Sequence, residues 1–137
     1  MEKIWNEMYE AAKAVLNERR ISEYVTCGEV SAAVCSKSGR IYTGVCIDTC
    51  STLGICAERN AIFNAITCGV KKGEIVEINV MTSSTNTIGM PCFVCRQMLS
   101  ELFDKDSKVI CYNKAGESVT HTVEELCPYP FGEEDLK

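Results

Sequence analysis

Positive charge is in short supply in this chain: 14 lysines and arginines face 19 aspartates and glutamates, for a formal net charge of -5 and a pI near 4.9. Such a protein repels phosphate backbones and anionic bilayers, which excludes nonspecific binding of nucleic acid or membrane and leaves small or cationic ligands as the fitting partners. Long apolar runs are also missing. The opening stretch MEKIWNEMYEAAKAVLNERR interleaves charged and apolar residues throughout, so it reads neither as a secretory signal nor as a membrane span, and the expected location is the cytoplasm. Histidine is nearly absent, with His121 standing alone in a predicted late strand.

Cysteine, by contrast, is abundant, with ten residues in 137. Without an export signal these read as reduced thiols rather than as a disulfide framework, most of them serving as small buried apolar residues and some as metal ligands. Cys27, Cys35, Cys68, Cys111 and Cys127 are assigned to packing. A hydrophobic content of 46% over this length is enough to bury a core without cross-links, and residues 1–137 are expected to form one domain.

Ile4, Trp5, Met8, Ala11, Ala12, Val15 and Leu16 recur at three- and four-residue intervals, the pattern of an amphipathic helix. EVSAAVC and RIYTGVCI flank SKSG and predict a β-hairpin, with Ser31, Ala32 and Ala33 small enough for close packing. CAERNAIFNAITCG, from Cys56, predicts a mostly buried helix that Gly69 ends. EIVEINVM then alternates, placing Val76, Ile78 and Val80 on one strand face, and the polar loop TSSTNTIG leads to a helix opened by Pro91. Val109–Tyr112 and Ser118–Val123 flank NKAG as a second hairpin, and TVEEL begins a short terminal helix.

This reading puts Cys56 at the start of one helix and Cys92 and Cys95 in the first turn of the next. If the two helices lie side by side on one face of a sheet, their N–H groups and dipoles favour the thiolate form that Zn²⁺ requires. Three thiolates leave the fourth tetrahedral position open, as in catalytic zinc sites. Glu58, two residues after Cys56, projects from the same turn and is suited to shuttle a proton, while Arg59 is assigned to offset the negative charge of three thiolates. Two other readings stay open at this point. CFVC is compatible with a closed Cys₄ zinc clip to which Cys46 and Cys50 supply the two further ligands, or with a redox dithiol at a helix start.

CAE at Cys56–Glu58 together with PCFVC at Pro91–Cys95 resembles the Cys₃ signature of the cytidine deaminase superfamily. GRIYTG, GICAER, PCFVCRQMLSEL and the terminal FGEEDL follow the order found in small homotetrameric members. The resemblance implies a three-layer α-β-α fold with a mixed five-stranded sheet, and zinc-assisted attack of water on C4 of a cytosine nucleoside. Glu58 would protonate N3 and help ammonia leave. It further implies that the Ala57 backbone contacts the pyrimidine edge, and that Phe131 reaches a neighbouring subunit's site within a homotetramer.

The chain departs from this family where the sugar is bound. A Phe-x-Val-Gly-Ala-Ala strand is replaced around Gly28, Val30 and Ser31, and an Asn-x-Glu pair becomes Cys46 and Asp48. Ser31–Ala33 instead resemble blasticidin S deaminases, whose substrate carries a cytosine ring and a guanidinium arm, and Asp48 and Glu29 offer charge to such a cation. Sugar recognition is where the natural substrate is expected to be decided.

Overall fold

The computed structural model describes residues 2–82 and 86–137. In order along the chain the elements are α1 (Glu2–Val15), β1 (Arg19–Ser22), β2 (Val25–Ser36), β3 (Ile41–Asp48), α2 (Ala57–Thr67), β4 (Ile75–Thr82), α3 (Phe93–Leu102), β5 (Lys108–Tyr112), β6 (Ser118–Thr122) and α4 (Val123–Leu126). Residues 83–85 of the predicted polar loop fall outside the described residues.

The sheet is mixed, as expected, with β4 and β5 parallel and its other pairs antiparallel. It has six strands rather than five. The extra strand, β1, has the sequence RRIS with all four residues exposed, so it carries no alternation to read. It pairs with β2 through Arg19↔Cys27, while β4 takes over from Val30 onward. The predicted Val123 end of the last strand belongs instead to α4, whose Thr122 cap accepts from the Glu125 N–H at 3.1 Å while Glu125 accepts from the Thr122 N–H at 2.8 Å.

Strand alternation divides the core into two layers. Ala33 and Cys35 face α1 and pack with Met8 and Ala12, while Ala32 and Val34 face the opposite side with Ala57, Ala61, Ile62, Leu99 and Leu126. The result is an α-β-α arrangement in which α2, α3 and α4 share one face. Val76 is a correction to the predicted alternation. A register shift opposite Cys35 and Ser36 turns it toward α1, whereas Ile78 and Val80 face α2. Helix α1 is anchored by polar contacts as well: the Trp5 indole N–H donates to the Glu77 carboxylate, and the Ser31 hydroxyl donates to the Ala12 carbonyl at 2.8 Å.

Helix α2 lies directly on β3, and Gly44 is the reason it can. A Cβ at that position would stand 2.3 Å from the Ala61 nitrogen and 2.9 Å from the Ala57 carbonyl oxygen. Asn60 and Asn64, one turn apart, donate to the β3 carbonyls of Val45 and Thr43 at 3.1 and 3.3 Å. The buried stripe of α2 is Ala57, Glu58, Ala61, Ile62 and Ala65. Ile66, which the apolar pattern placed inside, is 43% exposed and lies with Phe63 on the outer face.

Candidate metal centre and active site

Cys56 and Cys92 are the N-caps of α2 and α3. Each has extended backbone, and each carbonyl accepts the first helical bond, from Asn60 N–H at 3.0 Å and Arg96 N–H at 2.9 Å. Serine, threonine or aspartate at these positions would fold its side chain back onto the helix N–H groups. The thiols make no such cap bond and point elsewhere. Cys56 Sγ lies 3.5 Å from Cys92 Sγ, and Cys92 Sγ lies 3.4 Å from Cys95 Sγ.

Zinc fits this set. Tetrahedral sulfurs about 2.3 Å from a zinc stand about 3.8 Å from one another, within a few tenths of an ångström of the spacing here. Among the described residues no fourth thiol joins the group within its 4.8 Å span. Cys50 is exposed on the loop after β3, and Cys46 clusters with Glu29 and Asp48 instead. The donor set is therefore three thiols with an open side, and the closed Cys₄ alternative finds no fourth ligand.

The electrostatics follow from burial. Cys95 is fully buried, and burial first, then the Glu58 charge, raises its thiol far above the ordinary range. For Cys92 burial works in the same direction, but the Cys95 backbone N–H and the neighbouring thiols outweigh it and bring the thiol below its usual value. Arg59 donates from Nη2 to Cys56 Sγ at 3.6 Å, so the charge assigned to it from sequence lies directly on a candidate ligand. Glu58 is 4% exposed. Burial pushes its carboxyl pKa up, opposed by its own backbone N–H, the Arg59 charge and the Cys95 thiol.

A cavity of about 160 Å³ opens on this group. Val30 and Val80 supply apolar walls, Cys46 and Met90 flank it, and Cys56, Ala57, Glu58 and Cys92 supply its chemical end. It lies at the C-terminal end of β4, where helix starts and strand ends meet in open α/β sheets. A second hollow of about 380 Å³ shares Cys46 and Cys56 with it and adds Asp48, Thr52 and Arg59. The structure thus brings Cys56, Cys92, Cys95, Ala57, Glu58, Arg59, Cys46 and Asp48 to one region. Phe131 lines neither hollow and is 56% exposed.

The departures from the family pattern have a local cause. Between Cys27 and Ser31 the β2–β3 register shifts. Gly28 occupies this bulge at φ +86°, where a Cβ would stand 2.0 Å from the Asn17 carbonyl oxygen, so no aromatic side chain fits there. The bulge turns the Val30 N–H onto Cys46 Sγ at 3.3 Å and brings the ligand atoms of Glu29, Cys46 and Asp48 within 4.8 Å of one another. Burial and then the Asp48 charge raise the Glu29 pKa. Val30, named from sequence only as part of the altered strand motif, lines the cavity, and so do Met90 and Thr82, which sequence reasoning did not single out; their one signal was position, at the end of a predicted strand and just ahead of Pro91.

No family model matches the chain. It is 37% identical over 109 residues to the cytidine deaminase of Halalkalibacterium halodurans, covering 79% of this chain and 80% of that one. The chain belongs to the cytidine deaminase family. A cytidine deaminase from Sporosarcina psychrophila is 32% identical over 108 residues, covering 78% of this chain and 77% of the relative. The crystal structure of cytidine deaminase from Burkholderia pseudomallei superimposes with a TM-score of 0.80 at 30% identity, covering 92% of this chain and 98% of the other. Membership makes the chain a hydrolytic aminohydrolase, and the α-β-α fold expected from the signature is the one observed.

Proposed function

We propose that the protein is a zinc-dependent deaminase of cytosine nucleosides, with cytidine and deoxycytidine as its substrates and the uracil nucleoside and ammonia as products. The observation that carries this reading is the meeting of three thiols and one buried carboxyl at the end of an apolar-walled cavity. Zinc held by Cys56, Cys92 and Cys95 would lower the pKa of a water toward neutrality. Arg59 offsets thiolate charge at Cys56, which keeps the site from becoming too electron-rich to acidify that water.

Val30 and Val80, diagonal neighbours on one face of the sheet, form an apolar wall against the pyrimidine and exclude bulk water, and the Ala57 backbone holds its polar edge. Glu58 accepts the proton of the attacking water and delivers it to N3 as the oxygen bonds to C4. The remaining hydroxyl proton then passes through Glu58 to the exocyclic nitrogen, the C4–N bond breaks, and ammonia departs from uracil. Burial suits Glu58 to this work, since a raised carboxyl pKa lies nearer the operating pH and makes the group a better proton donor and acceptor.

Cys46 and Asp48 line the mouth where the sugar would lie, Asp48 accepting from ribose hydroxyls. The clustering of Glu29 with Asp48 favours a second reading, deamination of a cytosine nucleoside carrying a cationic arm, such as blasticidin S. The active assembly is a homotetramer with shared sites. Support comes from the outer faces of α2 and α3, where Phe63, Ile66, Phe93 and Val94 are exposed, and from Phe131, which is exposed and lines neither hollow of its own chain's site. Ten free thiols support a cytoplasmic location, and no helix among the described residues is long and apolar enough to cross a membrane.

The test is Glu58→Gln. Elemental analysis should still find one zinc per chain, while the ultraviolet change accompanying conversion of cytidine to uridine slows by about 100-fold or more. Turnover that survives the substitution would remove Glu58 from the reaction, and wild-type protein without zinc would end the metal reading.

A further inference from the structure

Arg96 follows Cys95 directly, yet its side chain makes no hydrogen bond to a candidate ligand sulfur. Its guanidinium spans two main-chain carbonyls: Nε donates to Pro91 at 2.8 Å and Nη1 donates to Leu126 at 3.2 Å. The same group lies 4.3 Å from the centroid of the Phe93 ring. No carboxylate forms an ion pair with it among the described residues. The next residue, Gln97, donates from Nε2 to the Phe131 carbonyl at 2.8 Å. Side chains of two successive residues of α3 therefore hold main-chain oxygens of the C-terminal segment.

The Pro91 contact matters because of peptide geometry. The Pro91 carbonyl and the Cys92 nitrogen share one rigid plane, so fixing that oxygen fixes where the Cys92 Cα–Cβ bond starts. Cys92 makes no side-chain cap bond that would otherwise hold it in place. Leu126 is the last residue of α4, and its carbonyl is one of those a helix end leaves without an internal partner. A planar guanidinium with donors on several edges can bridge both carbonyls and stack on a ring at once; a lysine ammonium cannot.

We infer that Arg96 is a positioning residue for the metal centre, a brace through which the docked C-terminal segment holds the Cys92 thiol in register with Cys56 and Cys95. The inference rests on the reading of those three thiols as metal ligands. Groups standing behind ligands typically govern metal retention and activity by about 10–100-fold, which sets the size of the effect.

The experiment compares wild type, Arg96→Lys and Arg96→Ala as zinc-loaded full-length proteins, with cobalt-substituted samples for spectroscopy. Arg96→Lys is expected to bind one metal per chain and to release it to a chromogenic chelator about tenfold faster or more, with kcat for cytidine down about tenfold, KM within threefold, and a shifted thiolate-to-cobalt charge-transfer band. Methylguanidinium should slow metal release from Arg96→Ala and leave wild type unchanged. Phe93→Leu provides a second variant if the arginine substitutions do not fold: Phe93 is 74% exposed, and loss of its ring should accelerate metal release in the same direction. Release rate, spectrum and kcat within twofold of wild type in the folded variants would overturn the inference. Wild type that binds no metal would instead overturn the reading beneath it.

Discussion

The Cys56 and Cys92 sulfurs lie 3.5 Å apart although 36 residues separate them in sequence. Each caps a different helix, so a metal shared between them pins the starts of α2 and α3 to one another. Ligation of the folded chain alone adds stability by mass action. Chelation is therefore expected to lower the melting temperature as well as to abolish turnover. Cys92→Ser should lose stoichiometric zinc and fall in kcat by more than the roughly 100-fold that marks the groups behind ligands. Cys50→Ser, on the exposed loop, should retain one zinc per chain. Zinc loss in Cys50→Ser alone, measured by elemental analysis, would restore the closed four-thiol site.

Gly44 sets how closely α2 approaches the sheet. Adding a methyl group places carbon 2.3 Å from the Ala61 nitrogen, and backbone on backbone has no rotamer through which to yield. Gly44→Ala is expected to destabilise the fold by about 2 kcal/mol or more and to displace the Cys56 end of α2. Urea denaturation measures the first effect, and zinc affinity relative to wild type measures the second. Unchanged values for both would mean that α2 is not seated by this contact.

The chemistry was more legible in the sequence than the geometry that tunes it. Residue type and spacing nominated Cys56, Glu58, Cys92 and Cys95 beside two other readings of CFVC, and the resemblance to the deaminase signature chose among them. The α-β-α layering was implied by the resemblance, and the alternation of EIVEINVM correctly placed Ile78 and Val80 together on one strand face. What escaped depends on register. Strand β1 exists only because the edge of β2 is free before Val30, and none of its four residues is buried to announce it. Val76 was assigned to the wrong face because a bulge in the pairing shifts the alternation. Gly28 was read as a lost aromatic, whereas its positive φ and contact with Asn17 make it the hinge that brings Glu29, Cys46 and Asp48 together.

That acidic corner gives a prediction about substrate. Asp48→Ala removes an acceptor at the mouth of the cavity and is expected to raise KM for cytidine about tenfold, the scale of one hydrogen bond to a charged group. The change in kcat should stay within threefold, because Asp48 lines the outer hollow and does not reach the chemical end. Parallel steady-state kinetics with cytidine and blasticidin S check this. A greater loss of kcat/KM on blasticidin S than on cytidine would transfer the assignment to the cationic substrate.

Glu77 makes stability depend on pH at a site on the opposite face of the sheet. It is 6% exposed beneath α1, and burial raises its carboxyl pKa above 4.5, with the Trp5 indole and Lys108 pulling the other way. A raised folded-state pKa means that the folded chain holds this proton at pH values where the unfolded chain has released it. Stability from this group is therefore fully present below about pH 4.5 and declines as pH rises through the folded value. Glutamine keeps an acceptor for Trp5 and cannot ionise. Glu77→Gln should accordingly melt higher than wild type at pH 8, the difference narrowing toward pH 5. Thermal melts across that range decide the matter: a gap that is constant with pH would show that ionisation of Glu77 is not its cause, and a variant less stable at pH 8 would show that the indole bond to the carboxylate outweighs the cost of burying it.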